Sequence, residues 1–391
     1  MSSRLRISSL SWSGWCWKCN VKLTLIALIG SVACFLCLIL ILDLPVSSPS
    51  SAAVRSGNLS SKNSSESGNI SSNKSYKSAR RAVVNPRTVQ NFPIRNTLNH
   101  TDSVLTLDPF RVNMSEVAKF REPISPEFYR EKERLSNRSK SDAKRAVDLN
   151  TLTYFDPLVT SEKKAKFMFT MDVFIRACEK YGWDYFLIGG SLLGAWRHHG
   201  LIPWDDDVDI IMNGSDWREV RHVLGNIPGF TLWAQSVGVW RFFLSDLPTV
   251  PGSVHKWPFL DIFFFDENST HLWGLTDHVH YMMFQRKYVL PLTKARWERW
   301  QLPVPACAER MLVHEYKNIS TCISTLSVHE KGYVRETHSV PCSRLHSVFP
   351  FVFRCSEKAT GRVVESRRVG DRTVEELTVL PEPSVCSEWT D

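Results

Sequence analysis

The sequence predicts an α+β or α/β domain that follows a long polar stretch of the 391-residue chain. Three observations predict it. Apolar residues recur at helical spacing before residue 182, a short apolar strand leads into a glycine turn, and two later apolar strands each carry aspartate. Helix, strand, turn, helix and acid-bearing strands in this order are typical of a sheet that packs against helices.

The first predicted element is a helix that begins near residue 160. Thr160 or Ser161 is placed to cap its first turn, and Gly182 is placed to end it. One apolar stripe runs between these ends and is formed by Met168, Met171, Phe174, Ile175 and Cys178. We interpret these side chains as core residues rather than as ligand contacts.

Three short apolar strands follow the predicted helix. Residues 185–188 form the first, residues 208–212 the second and residues 259–265 the third. A turn with two glycines follows the first strand, and a stretch that reads as helix begins at Ser191. This order of elements leaves both the α+β and the α/β arrangement open.

The N-terminus predicts a membrane anchor. Residues 23–42 are twenty consecutive uncharged residues, and a helix of that length rises about 30 Å, the thickness of a bilayer core. Basic but no acidic side chains precede it, so the positive-inside rule places residues 1–22 in the cytosol. We expect a single-pass type II protein with a signal anchor. A cleaved signal peptide and a buried helix of a soluble protein are the alternatives.

Residues 43–150 are predicted to be a luminal stem, largely disordered and glycosylated. Up to about residue 100 they hold few large apolar side chains, too few to offset the entropy of folding. Short apolar clusters after about residue 105 allow local helix. Ten Asn-x-Ser/Thr sequons all follow the apolar segment, which favours a secretory lumen.

Cysteine and charge content narrow the class of protein. Six cysteines in the predicted luminal part permit up to three disulfides, whose pairing stays open: Cys178, Cys307, Cys322, Cys342, Cys355 and Cys386. The net charge of +8 is mild, and the basic residues do not form a stripe with interleaved aromatic side chains. The sequence therefore predicts no nucleic-acid partner.

A cluster of carboxylates is the candidate metal site. Asp207 and Asp209 alternate in a predicted strand and should face the same side. Adjacent carboxylates repel unless a cation lies between them, and their oxygen atoms suit Mg²⁺ or Mn²⁺. Asp205 and Asp206 are supporting members. Asp261 lies inside the third apolar strand, where a charge is costly unless it shares the metal or acts as a base beside it.

The glycine turn is a candidate phosphate site. Gly189 and Gly190 let a phosphate approach the backbone, and amides at a helix start attract anions. Ser191 adds a hydroxyl donor, and Arg197 either balances charge on a donor or forms a surface ion pair. Four neighbouring ring side chains are interpreted as packing residues, with ligand contact as the alternative: His198, His199, Trp204 and Trp257.

These motifs together resemble the nucleotidyltransferase superfamily that is related to DNA polymerase β. Residues 189–209, which read GGSLLGAWRHHGLIPWDDDVD, are similar to the signature of the LicD family, which includes fukutin and fukutin-related protein. Residues 256–266 and 302–318 resemble later segments of that family. The resemblance implies a polymerase β-type core with a mixed sheet at residues 151–320. Residues 321–391 match no family motif and are predicted to be an extension of unknown role.

The resemblance also implies a reaction. LicD-like proteins transfer a phospho-linked group, such as phosphocholine or ribitol phosphate, from a CDP-activated donor to a glycan hydroxyl. It implies that Asp207, Asp209 and Asp261 are catalytic and that these three, together with Asp205, bind Mg²⁺ or Mn²⁺. The residues implied to bind the donor are Gly189, Gly190, Ser191 and Arg197.

We therefore expect a transferase of the Golgi or endoplasmic reticulum membrane, with its catalytic domain in the lumen and a glycan of a glycoprotein or glycolipid as acceptor. One alternative is a Golgi glycosyltransferase that uses a nucleotide-sugar at an Asp-x-Asp metal site. The glycine turn ahead of the acids argues against it. The other is a scaffold or adhesion protein that keeps an inactive transferase domain, and the intact acids argue against that.

Overall fold

The computed structural model describes residues 112–136, 148–235, 238–276, 278–279, 282–357 and 359–389. The predicted cytosolic tail, the membrane anchor at residues 23–42 and most of the predicted stem lie outside these residues and stay predictions. Within the described part of the chain, no helix combines the length and the apolar character needed to cross a membrane.

Two helices lie within the range that was predicted to be stem. A 3₁₀ helix spans Met114–Phe120, and α1 spans Pro126–Ser136. Phe120 and Phe128 are buried, and the ring of Phe128 stacks on that of Phe349 with 5.1 Å between centroids. The two helices agree with the local helix that the short apolar clusters after about residue 105 allow, and the luminal stem stays a prediction.

The predicted first helix is confirmed. Helix α2 spans Leu149–Tyr154, and α3 spans Ser161–Tyr181 with Thr160 as its N-cap. The backbone N–H of Lys163 donates to the Thr160 hydroxyl oxygen at 3.4 Å. Gly182 ends the helix with a φ of +72°, a left-handed conformation that glycine adopts without strain. The apolar stripe of α3 is buried, as interpreted from the sequence.

A mixed sheet forms the centre of the domain and, within the described residues, has seven strands. They are β1 Tyr185–Leu187, β2 Asp209–Asn213, β3 Phe230–Trp233, β4 Trp240–Leu244, β5 Phe259–Glu267, β6 His271–Gly274 and β7 Met283–Gln285. The order is β1-β2-β5-β4-β3, and β6 pairs with β5 and β7. Strands β2 and β5 are parallel, and the other pairs of this sheet are antiparallel. The domain is therefore α+β.

Two helices connect the first three strands. Helix α4 spans Gly189–His198 between β1 and β2, and α5 spans Trp217–Gly225 between β2 and β3. Strand β2 begins at Asp209, so Asp207 precedes the strand in which it was predicted to lie. The reason is that the pairing of β2 with β5 starts at Asp209, and the pairing of β2 with β1 covers residues 210–212.

The remaining elements continue without a break in packing at residue 320. They are α6 Arg286–Val289, β8 Thr293–Trp297, β9 Trp300–Val304, α7 Ala308–Tyr316, β10 Thr321–Ile323, β11 Ser327–Val328, β12 Tyr333–Val334, β13 Ser339–Pro341, β14 Phe351–Glu357, β15 Arg362–Val369 and β16 Arg372–Val379, with 3₁₀ helices at Gly214–Asp216, Cys342–Leu345 and Ser384–Glu388. Leu345, Val348 and Phe349 belong to the same hydrophobic core as residues of β2 and β5. The predicted extension is thus part of the packed domain.

Two disulfides fasten this C-terminal segment. Cys322–Cys342 links β10 to the 3₁₀ helix after β13, and Cys307–Cys386 links the start of α7 to the last 3₁₀ helix. Among the six described cysteines, these are two of the three bridges that the sequence permits, and Cys178 is a buried thiol. Closing such loops restricts the unfolded chain and so stabilises the fold.

Candidate active site

The glycine turn lets the acids lie against the start of α4. Gly189 has a φ of +52°, and a Cβ at this position would lie 3.2 Å from a carboxylate oxygen of Asp209. A Cβ at Gly190 would lie 3.0 Å from a carboxylate oxygen of Asp205. The backbone N–H of Asp209 donates to the hydroxyl oxygen of the buried Ser191 at 2.8 Å. The turn and the acids therefore form one site, as their spacing predicted.

Strand register brings the distant acid into this site. In the parallel pair β2–β5, Asp209 is the partner of Asp261, so both side chains lie on one face of the sheet. Carboxylate oxygens of Asp207, Asp209 and Asp261 lie within 4.8 Å of one another. Oxygen ligands around one divalent ion bind at roughly 2.0–2.6 Å, so three oxygens this close can share an ion.

Without a cation, the carboxylates of this cluster repel one another, so each disfavours the charged form of its neighbours. Burial raises the pKa of Asp207 and of Asp209 well above the usual range, and the charges of neighbouring carboxylates raise both further. Burial and the Asp206 charge raise the pKa of Asp205 in the same direction. A divalent cation relieves this repulsion because it favours the charged form of every nearby carboxylate.

Asp205 and Asp206 face different partners. The Asp206 side chain is completely buried, where it accepts hydrogen bonds from the backbone N–H of His329 at 2.9 Å and contacts that residue's Nδ1 at 2.8 Å. One Asp205 oxygen accepts a hydrogen bond from the Thr325 hydroxyl at 3.0 Å, and Asp205 also lines the cleft. Asp206 therefore ties the acidic loop to the C-terminal segment, while Asp205 remains beside the three clustered acids.

His329 is a site residue that the sequence did not predict. It lies between β11 and β12, and its Nε2 is 3.5 Å from an Asp207 oxygen. Burial acts to lower the pKa of this imidazole, but the hydrogen bond to Asp206 and the charges of the acids outweigh it and raise the pKa to about 9. A single histidine in a segment without a family motif gives no spacing signal, so only the folded chain reveals it.

Arg241 is the second unpredicted site residue. In the antiparallel pair β4–β5 it is the partner of Asp261, and its Nε donates to an Asp261 oxygen at 2.9 Å. Its guanidinium lies 4.4 Å from the centroid of the Phe259 ring. Burial raises the pKa of Asp261, and the Arg241 charge opposes that rise. A lone arginine in the apolar strand WRFFL is the same signal that identified Asp261 and could have found this partner.

The Arg197 guanidinium is directed at the C-terminal segment. It is buried and contacts the carbonyl oxygen of Thr321 at 3.3 Å and the sulfur of Cys342 at 3.4 Å. Burial lowers its pKa to about 10. It also lines the cleft, so its predicted role in donor binding stays a prediction. The Trp204 indole N–H donates to the Ile323 carbonyl at 2.9 Å, which agrees with the packing interpretation.

A cleft of about 410 Å³ opens onto the acids. One wall carries Gly190, Asp205, Asp207 and Asp209, and the other consists largely of residues 318–329. This volume falls in the usual range for small-molecule sites. The segment after residue 318 therefore completes the cleft.

Comparison with known proteins agrees with this geometry. A family model described as the LicD/FKTN/FKRP nucleotidyltransferase domain matches residues 182–307. The lipopolysaccharide cholinephosphotransferase LicD of Haemophilus influenzae is 48% identical over 48 residues, which cover 12% of this chain and 18% of that relative. The chain thus matches less than a fifth of the length of this curated relative. The matched residues 182–307 include the glycine turn and all the clustered acids, so this part of the chain is similar to the nucleotidyltransferase domain of the LicD family.

Proposed function

We propose that this chain is a metal-dependent transferase that moves a phospho-linked group, such as phosphocholine or an alditol phosphate, from a CDP-activated donor to a glycan hydroxyl. The observation that carries the proposal is the cluster of Asp207, Asp209 and Asp261, whose oxygens lie within 4.8 Å behind the glycine turn. The family match and the cholinephosphotransferase relative support the same class of reaction.

The acids fit a divalent cation. Three carboxylates converge, all have a raised pKa in the absence of a cation, and Asp205 adds a fourth beside them. Oxygen ligands alone favour Mg²⁺ or Mn²⁺ over softer metals. When bound, such an ion neutralises charge on a donor pyrophosphate.

Residues of the chain bind the donor phosphate, accept the proton and orient the accepting carboxylate. The backbone amides of Gly189 and Gly190 and the Ser191 hydroxyl lie at the start of α4, where they favour donor phosphate. Asp261 accepts the proton of the attacking glycan hydroxyl while the bond from phosphorus to the CMP oxygen breaks. The hydrogen bond that Arg241 Nε donates to an Asp261 oxygen at 2.9 Å fixes the orientation of that carboxylate. Catalysis then depends on positioning and charge neutralisation.

The proposed setting is the lumen of the Golgi or endoplasmic reticulum. The uncharged segment at residues 23–42, the basic residues ahead of it and the ten sequons after it support this setting. The acceptor would then be a glycan of a glycoprotein or glycolipid.

The test is a donor panel with the full chain purified in detergent. We expect CMP release from CDP-choline or from a CDP-alditol when Mg²⁺ or Mn²⁺ and an acceptor glycan are present. Asp209→Asn should lower kcat by about 10³-fold or more, because it removes a charge that the metal and donor need. Asp246→Asn, at an exposed aspartate, is the matched control and should retain activity.

Other results of the same panel would contradict the proposal. Transfer from a UDP- or GDP-sugar without CMP release would indicate a conventional glycosyltransferase. No metal-dependent binding of any nucleotide would indicate an inactive domain. Wild-type activity in Asp209→Asn would separate the acids from the reaction.

A further inference from the structure

A second cavity lies beside the segment that carries the acids, and different residues of that segment line it. Its volume is about 540 Å³, within the usual range for small ligands. His198, His199 and Gly200 line it, whereas Trp204 and Asp205 line the acidic cleft. We call it the arginine cavity, because its wall carries Arg296, Arg299, Arg367 and Arg372, together with Lys164.

Two of these five cations are each matched by one carboxylate, and a third shares its carboxylate with an arginine outside the cavity. Lys164 pairs with Glu298 at 2.8 Å, and Arg299 pairs with Glu122 at 2.8 Å. The third cation, Arg372, contacts a Glu127 oxygen that Arg130 also contacts at 3.1 Å. The two one-to-one pairs leave no net charge and are accounted for as structure.

The remaining two arginines share a single carboxylate. Arg296 on β8 contacts one oxygen of Glu375 through Nη2 at 3.2 Å, and Arg367 on β15 approaches the other oxygen through Nε at 3.3 Å. His199 Nδ1 is also 3.3 Å from Glu375. Each guanidinium has five N–H donors, so one carboxylate neither balances the two charges nor accepts all of these donors.

Two of the donors are buried without an acceptor. The Nε–H of Arg296 and the Nε–H of Arg367 are both shielded from solvent, and neither makes a hydrogen bond of acceptable geometry with any described residue. Buried donors of charged groups are costly when they lack a partner. An oxyanion in the cavity would contact the exposed parts of the two side chains, which are 29% and 28% exposed, and would remove the excess positive charge.

We propose that the arginine cavity is a second ligand site, which binds a phosphate monoester or inorganic phosphate through Arg296 and Arg367. The planar guanidinium groups match the oxygen geometry of phosphate. The cavity has room for a small group attached to that phosphate. The proposal makes no assumption about transfer chemistry in the acidic cleft.

The test is calorimetric titration of the full chain with inorganic phosphate, with glucose 6-phosphate and with glucose, in the presence of EDTA. Chelation removes any phosphate binding that a metal would support in the acidic cleft. We expect saturable, salt-sensitive binding of phosphate, of glucose 6-phosphate or of both, and none of glucose. The stronger of the two ligands identifies the source of the phosphate group.

Matched variants locate the binding. Arg296→Gln and Arg367→Gln should each weaken it by about tenfold or more, because each loses charge-assisted hydrogen bonds. Arg362→Gln, at an exposed position of β15, should bind like the wild type. If either cavity variant fails to fold in a thermal melt, Arg372→Gln at the exposed rim should still weaken binding by about threefold.

Three results would overturn the proposal. They are no saturable binding of either phosphate compound, equal binding by the wild type and the cavity variants, and loss of binding in Asp209→Asn, which would place phosphate in the acidic cleft. An inactive transferase would not affect this test, because it measures binding without metal or donor.

Discussion

The acidic cleft and the arginine cavity are built around one segment but carry opposite charge. In the cleft, Asp207, Asp209 and Asp261 converge, and the two cations beside them, Arg241 and His329, contact Asp261 and Asp207. In the arginine cavity, Arg296 and Arg367 converge on one carboxylate. A buried charge without a partner is costly, so an imbalance that persists in a folded domain indicates a ligand of opposite charge.

Balanced pairs in the same region show the contrast. Glu298 pairs with Lys164 at 2.8 Å and accepts a hydrogen bond from the backbone N–H of Leu201 at 3.0 Å. The Glu298 carboxylate therefore fixes the position of the loop that precedes the acids, and its charge is balanced by Lys164. Charged residues that are paired therefore do not indicate a ligand site, whereas a cluster with an excess of one sign of charge does.

The largest effect should follow from removing Arg241, the cation that contacts Asp261 in the acidic cleft. We expect Arg241→Gln to lower kcat about 10²-fold, because Asp261 loses the partner that orients it. The Arg241 charge holds the pKa of Asp261 down, so its loss should move the acidic limb of the pH–rate profile to higher pH.

Two variants control this measurement. Arg241→Lys keeps the charge and should recover part of both effects, and Arg221→Gln, at an exposed position, should change neither. An unchanged acidic limb in Arg241→Gln would contradict a role for this residue in the ionisation of Asp261.

A smaller effect is expected on the stability of the metal-free protein. The pKa of Asp207 is raised in the folded state, so the metal-free fold is most stable below the ordinary carboxyl pKa near 4 and loses this contribution as the pH rises through the raised value. Asp207→Asn removes the repulsion and should raise the metal-free Tm at pH 7 by about 2–4 °C.

With metal bound, the wild type should melt at a higher temperature than Asp207→Asn. Saturating Mn²⁺ stabilises the wild type by about 2.7 kcal/mol at one hundred times its Kd, and Asp207→Asn should lose most of this gain. Asp246→Asn, at an exposed aspartate, should behave like the wild type. A metal-free Asp207→Asn protein that melts lower than the wild type would contradict an unbalanced acidic cluster.

The smallest effect is expected in the arginine cavity. Glu375→Gln removes the carboxylate that Arg296 and Arg367 share, so phosphate affinity should rise about threefold as the excess positive charge grows. Glu376→Gln, at an exposed position of the same strand, should leave the affinity unchanged in the same calorimetric titration. Weaker binding by Glu375→Gln would mean that this carboxylate organises the site instead of competing with the ligand.

The sequence predicted the parts of this site that depend on local pattern. The caps of α3, the three short strands, the glycine turn and Asp261 in its apolar strand follow from spacing and composition. The mixed sheet agrees with what the family resemblance implied. These features depend on near neighbours in the chain, which a sequence displays directly.

The parts that escaped prediction depend on contacts between distant residues. His329 reaches Asp207 from a hairpin that matches no family motif, and Arg296 and Arg367 meet at Glu375 from separate sheets. Strand register pairs Arg241 with Asp261, and register is fixed only when the sheet forms. Long-range packing of this kind leaves no period in the sequence.

The most direct test of the acidic cleft is to locate a cation in it. Crystals of the predicted luminal part grown with Mn²⁺ and CMP should show an anomalous scattering peak at roughly 2.0–2.6 Å from oxygens of Asp207, Asp209 and Asp261. Crystals of Asp209→Asn should lack that peak. Well-ordered carboxylates without a peak, or a cation bound elsewhere in the domain, would contradict the proposed metal site and the transferase mechanism that depends on it.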